Sequence, residues 1–228
     1  MPARVKAITL DLDDTLWPID EVMARAEGIL HQWFERHAPG VAAALPPPEF
    51  AAFRRALALD LPAIGHDFTM LRREALRRAL QQFGGDTSLV EPAMTVFLSA
   101  RNDVEFYPDT LEALQRLSRH YPVVSLSNGN ADLARIGIGH HFSATVSARS
   151  IGVAKPDPRI FHAACAAIDL RPEEVLHVGD DPDLDVRGGI GAGVRTVWVN
   201  RQRKAWAGEP VETLEMHDLL ALCEWLGV

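Results

Sequence analysis

Cysteine is nearly absent. Of 228 residues only Cys165 and Cys223 carry thiols, and each falls in an apolar helical pattern (residues 162–168 and 219–226), the setting of a buried free thiol and not of a disulfide framework. Long apolar runs are missing too. No stretch approaches the roughly 18 uninterrupted apolar residues of a membrane span, and the chain runs from Met1 into a short strand-like segment without an apolar leader, so the expectation is a cytoplasmic protein with no membrane partner. Basic residues are the minority, 23 Lys plus Arg against 31 Asp plus Glu, and the net charge of -8 disfavours nucleic acid as a partner. Lysine is wholly lacking between Trp17 and Val104. What remains is ordinary: 47% apolar and 24% charged residues exclude disorder as a main theme, and the length suits one large domain or one domain carrying an insertion.

Nearly continuous apolar, β-rich runs occur at residues 5–10, 123–126, 144–146, 175–178 and 195–199. Such runs suit strands covered on both faces, and helical patterns lie between most of them, which predicts an α/β fold with a parallel sheet. Helix starts are marked by Asp109 with Glu112 three residues on, by Asp157-Pro158, by Asp181-Pro182 and by Asn130 ahead of Ala131. From Trp17 to Val104 the rhythm changes to helical periodicity throughout, with helices expected at 19–34, 48–59, 68–83 and 88–98 and a turn-rich stretch at 38–47. The expected architecture is a doubly wound sheet domain, residues 1–16 and 105–228, interrupted after its first strand by a helical unit, residues 17–104.

Carboxylates gather where two strands end. Asp11-Leu12-Asp13-Asp14-Thr15 follows the first strand, and Asp180-Asp181-Pro182-Asp183-Leu184-Asp185 follows the run at 175–178. Asp181 and Asp183 have structural reasons as an N-cap and a first-turn acid. The cluster at Asp11 can be read as turn and cap residues, although crowded acids repel and are usually held together by a cation; Asp180 has no such structural reason, and both Asp11 and Asp180 stand at carboxyl ends of strands, where open α/β sheets place ligands. If the two strands are neighbours, their carboxylates form an oxygen-rich site suited to Mg2+. Ser127 with Asn128-Gly129 after the strand at 123–126 offers a hydroxyl and loosened backbone N–H groups to an anion, and Lys155 stands alone before a proline-marked helix start.

In this order the residues resemble the haloacid dehalogenase superfamily, most of whose members are Mg2+-dependent phosphatases: Asp11 to Thr15 as the first motif, Ser127 as the second, Lys155 as the third, Gly179-Asp180-Asp181 with Asp185 as the fourth. The resemblance covers nearly the whole chain and implies a Rossmann-like core with an inserted helical-bundle cap that closes over the substrate. It implies that Asp11 attacks phosphorus to give an aspartyl-phosphate, that Asp13 protonates the leaving oxygen and then activates water, and that Ser127 and Lys155 hold the phosphoryl group. It further implies a metal site of Asp11, the Asp13 backbone carbonyl and Asp180, with Asp185, and less firmly Asp181, as supporting anchors. Asn128, Gly129 and, from the helical insertion, Arg72 complete the expected substrate contacts.

Within the superfamily, Asp13 disfavours dehalogenation, because a halide leaving group needs no acid, and the lysine-free insertion disfavours phosphonate cleavage. Ser127-Asn128-Gly129-Asn130, His177-Val178-Gly179-Asp180-Asp181 and Asp67-Phe68-Thr69 with Arg72 are similar to bacterial phosphatases acting on flavin mononucleotide and on a phosphorylated ribitylaminouracil. Trp17, just past the first motif, reads as a core residue or as a platform for a planar ring. The rival readings are a phospho-acceptor signalling domain and a catalytically idle binding module; the expected partner is a small phosphorylated molecule, and the oligomeric state is open.

Overall fold

The computed structural model describes residues 5–206, 209 and 211–228. The apolar runs become six parallel strands, β1 (Ala7–Leu10), β2 (Val123–Ser127), β3 (Ala144–Ser147), β4 (Val175–Gly179), β5 (Arg195–Val199) and β6 (Leu214–Met216), in the order β3-β2-β1-β4-β5-β6. Every residue of β1, β2 and β4 is buried, which is why these strands read as continuous apolar runs and not as alternating ones. Strand β6, absent from the sequence expectation, is a three-residue edge strand with two exposed positions, so it lacks the apolar run that marks the others.

Contact clustering divides the chain into two compact units. The helical unit comprises Ile19–Val104 with Asn130–Asp132. Its helices are α1 (Ile19–His37), α2 (Pro39–Ala44), α3 (Pro47–Asp60), α4 (Phe68–Gln82) and α5 (Val90–Arg101), with 3-10 turns at Pro62–Ile64 and Thr87–Leu89. Helix α2 falls where a turn-rich stretch was expected: Pro39 occupies the first turn, where its missing N–H costs nothing, and the following Val and Ala residues are helix-compatible. The unit has its own core. Leu30 and Phe34 of α1, Phe50 and Leu57 of α3, Leu76 and Leu80 of α4 and Met94 and Phe97 of α5 form one buried cluster, each such side chain contributing about 1.5–3 kcal/mol on burial.

The other unit carries the sheet together with α6 (Thr110–His120), α7 (Leu133–Ile136), α8 (Ala148–Ile151), α9 (Pro158–Ala166), α10 (Gly188–Gly191) and α11 (Leu219–Leu226). Ile160, Phe161 and Ala164 of α9 join Val124, Leu126, Val146 and Val175 of the sheet in a second core. Two expected caps differ from the structure. Asp109 stands at the start of α6 but makes no capping bond, because Arg201 and the Leu219 N–H take its oxygens. Asn130 does not start a helix at Ala131, for α7 begins at Leu133 and the Asn130 amide donates to the Thr69 hydroxyl, 3.2 Å away. Asp157 does cap α9, accepting from the Arg159 N–H. Cys165 and Cys223 are both buried and unbridged. Among the described residues no helix is long and apolar enough to cross a membrane.

Candidate active site

Parallel pairing of β1 with β4 sets Leu10 beside Val178. The residues that follow therefore leave the sheet at one edge, and the Asp11 N–H donates to the Val178 carbonyl at 2.9 Å. There the carboxylates of Asp11, Asp180 and Asp185 approach so closely that one oxygen from each lies within 4.8 Å of the others. Lys155, buried, joins two of them: its Nζ is 2.5 Å from Asp11 Oδ1 and 2.5 Å from Asp185 Oδ1. The Thr15 hydroxyl sits between the other pair, 3.4 Å from Asp11 Oδ2 and 3.3 Å from Asp180 Oδ1.

Asp185 reaches this cluster by an unusual piece of backbone. Asp181 caps a π-helical turn, Pro182–Arg187, by accepting from the N–H groups of Asp183 and Leu184, and the turn lays the Asp185 carboxylate against Gly179. A Cβ at position 179 would stand 2.3 Å from Asp185 Cγ, so only glycine admits the carboxylate there. Once in place, Asp185 accepts two further bonds: Oδ1 also accepts from His177 Nε2 at 2.9 Å, and Oδ2 accepts from the Asp181 N–H at 3.0 Å. With Nε2 donating, His177 Nδ1 accepts from the Thr9 hydroxyl at 2.8 Å. Burial holds this imidazole below its usual range, against the opposing pull of Asp185.

Two loops complete the edge. The Gly129 N–H donates to Ser127 Oγ at 2.9 Å, which occupies one lone pair and leaves the hydroxyl proton to point elsewhere. Asn128 ties the two loops together. Its Nδ2 donates to the Lys155 carbonyl at 3.0 Å and its Oδ1 accepts the Lys155 N–H at 2.7 Å, so both ends of the amide clamp the Lys155 backbone. Below the first motif, Arg201 donates to the Thr15 carbonyl at 2.8 Å and pairs with Asp109 at 2.8 Å. The indole N–H of Trp198 donates to the Asp180 carbonyl and that of Trp17 to Asp13 Oδ1, each at 2.8 Å.

The cluster is electrostatically lopsided. Burial raises Asp11 well above the usual carboxylate range; Lys155 opposes this, while Asp185 and Asp180 add to it. Burial, then Asp185 and Asp14, push Asp180 up to about 7. Burial also raises Asp185, but Lys155 and His177 more than reverse this and hold it far below the usual range. Lys155 is correspondingly raised: burial lowers it, and Asp11 and Asp185 outweigh burial. One ammonium does not balance three carboxylates, two buried and one half-buried, and an all-oxygen donor set of this kind fits a hard divalent cation such as Mg2+. Asp185 already accepts from Lys155, His177 and the Asp181 N–H, so Asp11 and Asp180 are the less committed carboxylates.

Arg72, expected to contact substrate, is engaged inside the helical unit. It lies in the interior of that unit, 2% exposed, donating to Glu27 at 2.6 and 3.1 Å with its guanidinium 3.3 Å from the centre of the Phe97 ring. The reason was legible in the register of α4, since Arg72 shares the apolar stripe of Ala75, Leu76, Ala79 and Leu80. Arg73, Arg77 and Arg78 occupy the outer face, paired with Glu91 and Glu74. Sequence reasoning missed Thr15, His177, Trp198 and Arg201 as supports, because a single residue in an apolar strand or loop does not announce a partner far along the chain.

A profile described as haloacid dehalogenase-like hydrolase matches residues 5–193. The 5-amino-6-(5-phospho-D-ribitylamino)uracil phosphatase YigB of Escherichia coli strain K12 is 27% identical over 227 residues, 96% of this chain and 95% of that one. A phosphoserine phosphatase of Thermus thermophilus is 36% identical over 154 residues, 65% of this chain and 62% of that one. Among solved structures, a 2-haloacid dehalogenase from Pseudomonas syringae pv. tomato DC3000 aligns with a TM-score of 0.91 at 33% identity, covering 98% of each chain. With the family's profile running through β1, β2 and β4 and through each acid, hydroxyl and ammonium group gathered at their ends, this chain belongs to the haloacid dehalogenase-like hydrolases.

Proposed function

We propose that the protein is a Mg2+-dependent phosphatase that hydrolyses a small phosphomonoester through a phosphorylated Asp11. The observation that carries this reading is the unequal placement of two carboxylates two residues apart: Asp11 is buried against the Lys155 ammonium, whereas Asp13 is half-buried and accepts from the Trp17 indole N–H. Different surroundings suit different tasks. In the first step an Asp11 oxygen attacks phosphorus, the bond from phosphorus to the leaving oxygen breaks, and Asp13 delivers its proton to that oxygen. In the second, water attacks the same phosphorus, Asp13 takes the water proton, and the bond to Asp11 breaks to release phosphate. Ser127 donates its hydroxyl proton to a phosphoryl oxygen, and Lys155 offsets charge on the nucleophile and the phosphoryl group. Mg2+ held by Asp11, the Asp13 carbonyl and Asp180 would neutralise the charge of phosphate and carboxylates.

The relatives named as phosphatases support this reading, and the relative acting on phosphoribitylaminouracil makes that compound and flavin mononucleotide the first substrates to try. Hydrolytic dehalogenation is the second reading, favoured by the neighbouring solved structure described as a 2-haloacid dehalogenase. Phosphate release from p-nitrophenyl phosphate, with and without Mg2+, is set against chloride release from 2-chloropropionate. The expectation is metal-dependent phosphate release that Asp11→Asn lowers by about a thousandfold or more, with no chloride. Substantial turnover by Asp11→Asn, or chloride release alone, overturns the proposal.

A further inference from the structure

Pairing of β4 with β5 ends with Gly179 beside Trp198. The next peptide group, the one joining Asp180 to Asp181, lies beyond that ladder and needs partners of its own. It has two. Its carbonyl oxygen accepts from the indole N–H of Trp198 at 2.8 Å, and its N–H donates to Asp185 Oδ2 at 3.0 Å. One planar unit, pinned at both polar ends, therefore connects the carboxylate that stands beside Asp11 with the carboxylate that holds Lys155. Thr15 adds a longer contact to the Asp180 side chain, 3.3 Å from Oδ1. The indole is itself fixed: Trp198 is 3% exposed, and Trp206 meets it edge-on with ring centres 5.1 Å apart. Trp206 donates its own N–H to the Glu209 carbonyl at 3.1 Å, and the same carbonyl accepts from Arg187, which lies 5.6 Å from the Trp206 ring and pairs with Asp183 at 3.2 Å. The two tryptophans share one aromatic contact but spend their N–H groups differently, one on the peptide between two acids and the other inside its own loop.

We infer that Trp198 is a positioning residue for the metal, setting the affinity of the site for Mg2+ through the peptide between Asp180 and Asp181. The inference rests on the reading of Asp180 as a Mg2+ ligand. Mg2+ demands near-ideal octahedral geometry, so its affinity depends on how closely the carboxylates already stand where the ion needs them. An indole N–H only donates, so it accepts one orientation of this peptide, carbonyl toward Trp198 and N–H toward Asp185. The reverse orientation sets N–H against N–H on one side and carbonyl oxygen against carboxylate on the other. Without the indole donor the peptide is held at one end only and turns about the bonds that flank it, one of which belongs to Asp180. That freedom must then be removed when the ion binds, and affinity falls by the cost of removing it. Trp198 acts on a ligand and is not one itself.

The test measures Mg2+ binding without turnover, by isothermal titration calorimetry of the chelator-treated protein. Trp198→Phe, which keeps an apolar ring and deletes the N–H, is expected to raise Kd for Mg2+ by about ten- to a hundredfold. Trp206→Phe makes the same change in the same aromatic contact without touching the peptide, and its Kd is expected to stay within about threefold of the parent's. A Trp198→Phe value within that range, or an equal rise in both variants, overturns the inference, since a merely structural tryptophan would make the two alike. Because Trp198 does no chemistry, the loss of p-nitrophenyl phosphate hydrolysis at low Mg2+ is expected to be relieved by excess Mg2+, and a deficit that no excess relieves is equally fatal. Should Trp198→Phe not fold, as judged by near-ultraviolet circular dichroism, site-specific insertion of the benzothiophene analogue at position 198 replaces N–H by sulfur in a ring of the same shape, with the same rise expected. Asp180→Asn separates the two layers. No Mg2+ binding by the parent, or a Kd near the parent's in Asp180→Asn, sinks the metal site beneath the inference, whereas a large rise in Asp180→Asn beside unchanged Trp198 variants sinks the role of Trp198 alone.

Discussion

Two clusters of buried charge among the described residues differ in sign and in meaning. At the edge of the sheet one ammonium, Lys155, stands among the carboxylates of Asp11, Asp180 and Asp185. Within the helical unit one carboxylate, Glu27, is gripped by Arg72 at 2.6 Å, with Arg54 3.9 Å away and partly exposed. The second pair is closed: a two-pronged guanidinium, laid over Phe97, engages both oxygens of its carboxylate, with the buried Arg101 adding positive charge nearby. The first is open, since Lys155 and His177 leave Asp11 and Asp180 in surroundings that resist their charged forms. Burial of a charged residue is therefore a poor guide to function here. Imbalance is the better one, because a surplus held by folding is relieved only by something that arrives from solution.

The comparison breaks first, and by the largest amount, at Glu27. Glu27→Ala leaves Arg72 buried without its partner and is expected to destabilise the helical unit by about 3–5 kcal/mol, read from urea unfolding followed by helical circular dichroism. A loss below about 1 kcal/mol would mean that water reaches the pair. At the sheet edge the sign reverses, since adding Mg2+ is expected to stabilise the protein by about 2–3 kcal/mol at a hundredfold excess over its dissociation constant, visible as a rise in Tm. Asp180→Asn should erase that rise while itself removing a repulsion, and a variant that still responds fully to Mg2+ would place the metal elsewhere. The smallest effect sharpens the contrast. Replacing the closed pair together, Arg72→Met with Glu27→Leu, is expected to be near neutral in stability, within about 1 kcal/mol. It should also leave the ratio of kcat/KM for flavin mononucleotide to that for p-nitrophenyl phosphate within about twofold of its original value. A tenfold change in that ratio would restore Arg72 to the substrate.

Much of this was legible in the residues themselves. Five of the six strands announce themselves as apolar runs, and the acids directly after two of them mark the edge where Asp11 and Asp180 meet. The third carboxylate was foreseen only through family resemblance, because the π-helical turn that returns Asp185 to Lys155 leaves no periodic signature. Asp109 shows the opposite failure: an apparent capping box with Glu112 is overridden by Arg201, some ninety residues away, and a local rule cannot see so distant a competitor. The burial of Arg72 was not foreseen although the stripe of α4 contains it, because arginine on an apolar stripe reads as surface until its partner Glu27 on another helix is known. Strand β6 and helix α2 were lost to shortness, the one too polar and the other too rich in alanine and proline to register.

The order of the sheet has a consequence for how the chain is made. β1 is made before β2 to β6 and is the strand paired on both sides, with β2 on one and β4 on the other. Its neighbours arrive late: Ile8 lies beside Val123 on one flank and Leu176 on the other, so more than a hundred residues must be synthesised before either edge of β1 is covered. Translation at about 5–20 residues per second stretches that interval to several seconds or more. During it the nascent chain displays an unpaired apolar strand, Ala7–Leu10, ahead of a helical segment that can bury a core of its own from local contacts. Asp11, the proposed nucleophile, directly follows this waiting strand, and with Asp13 and Asp14 it sets acidic residues beside an apolar segment, the flanking pattern that counters sticking to other chains.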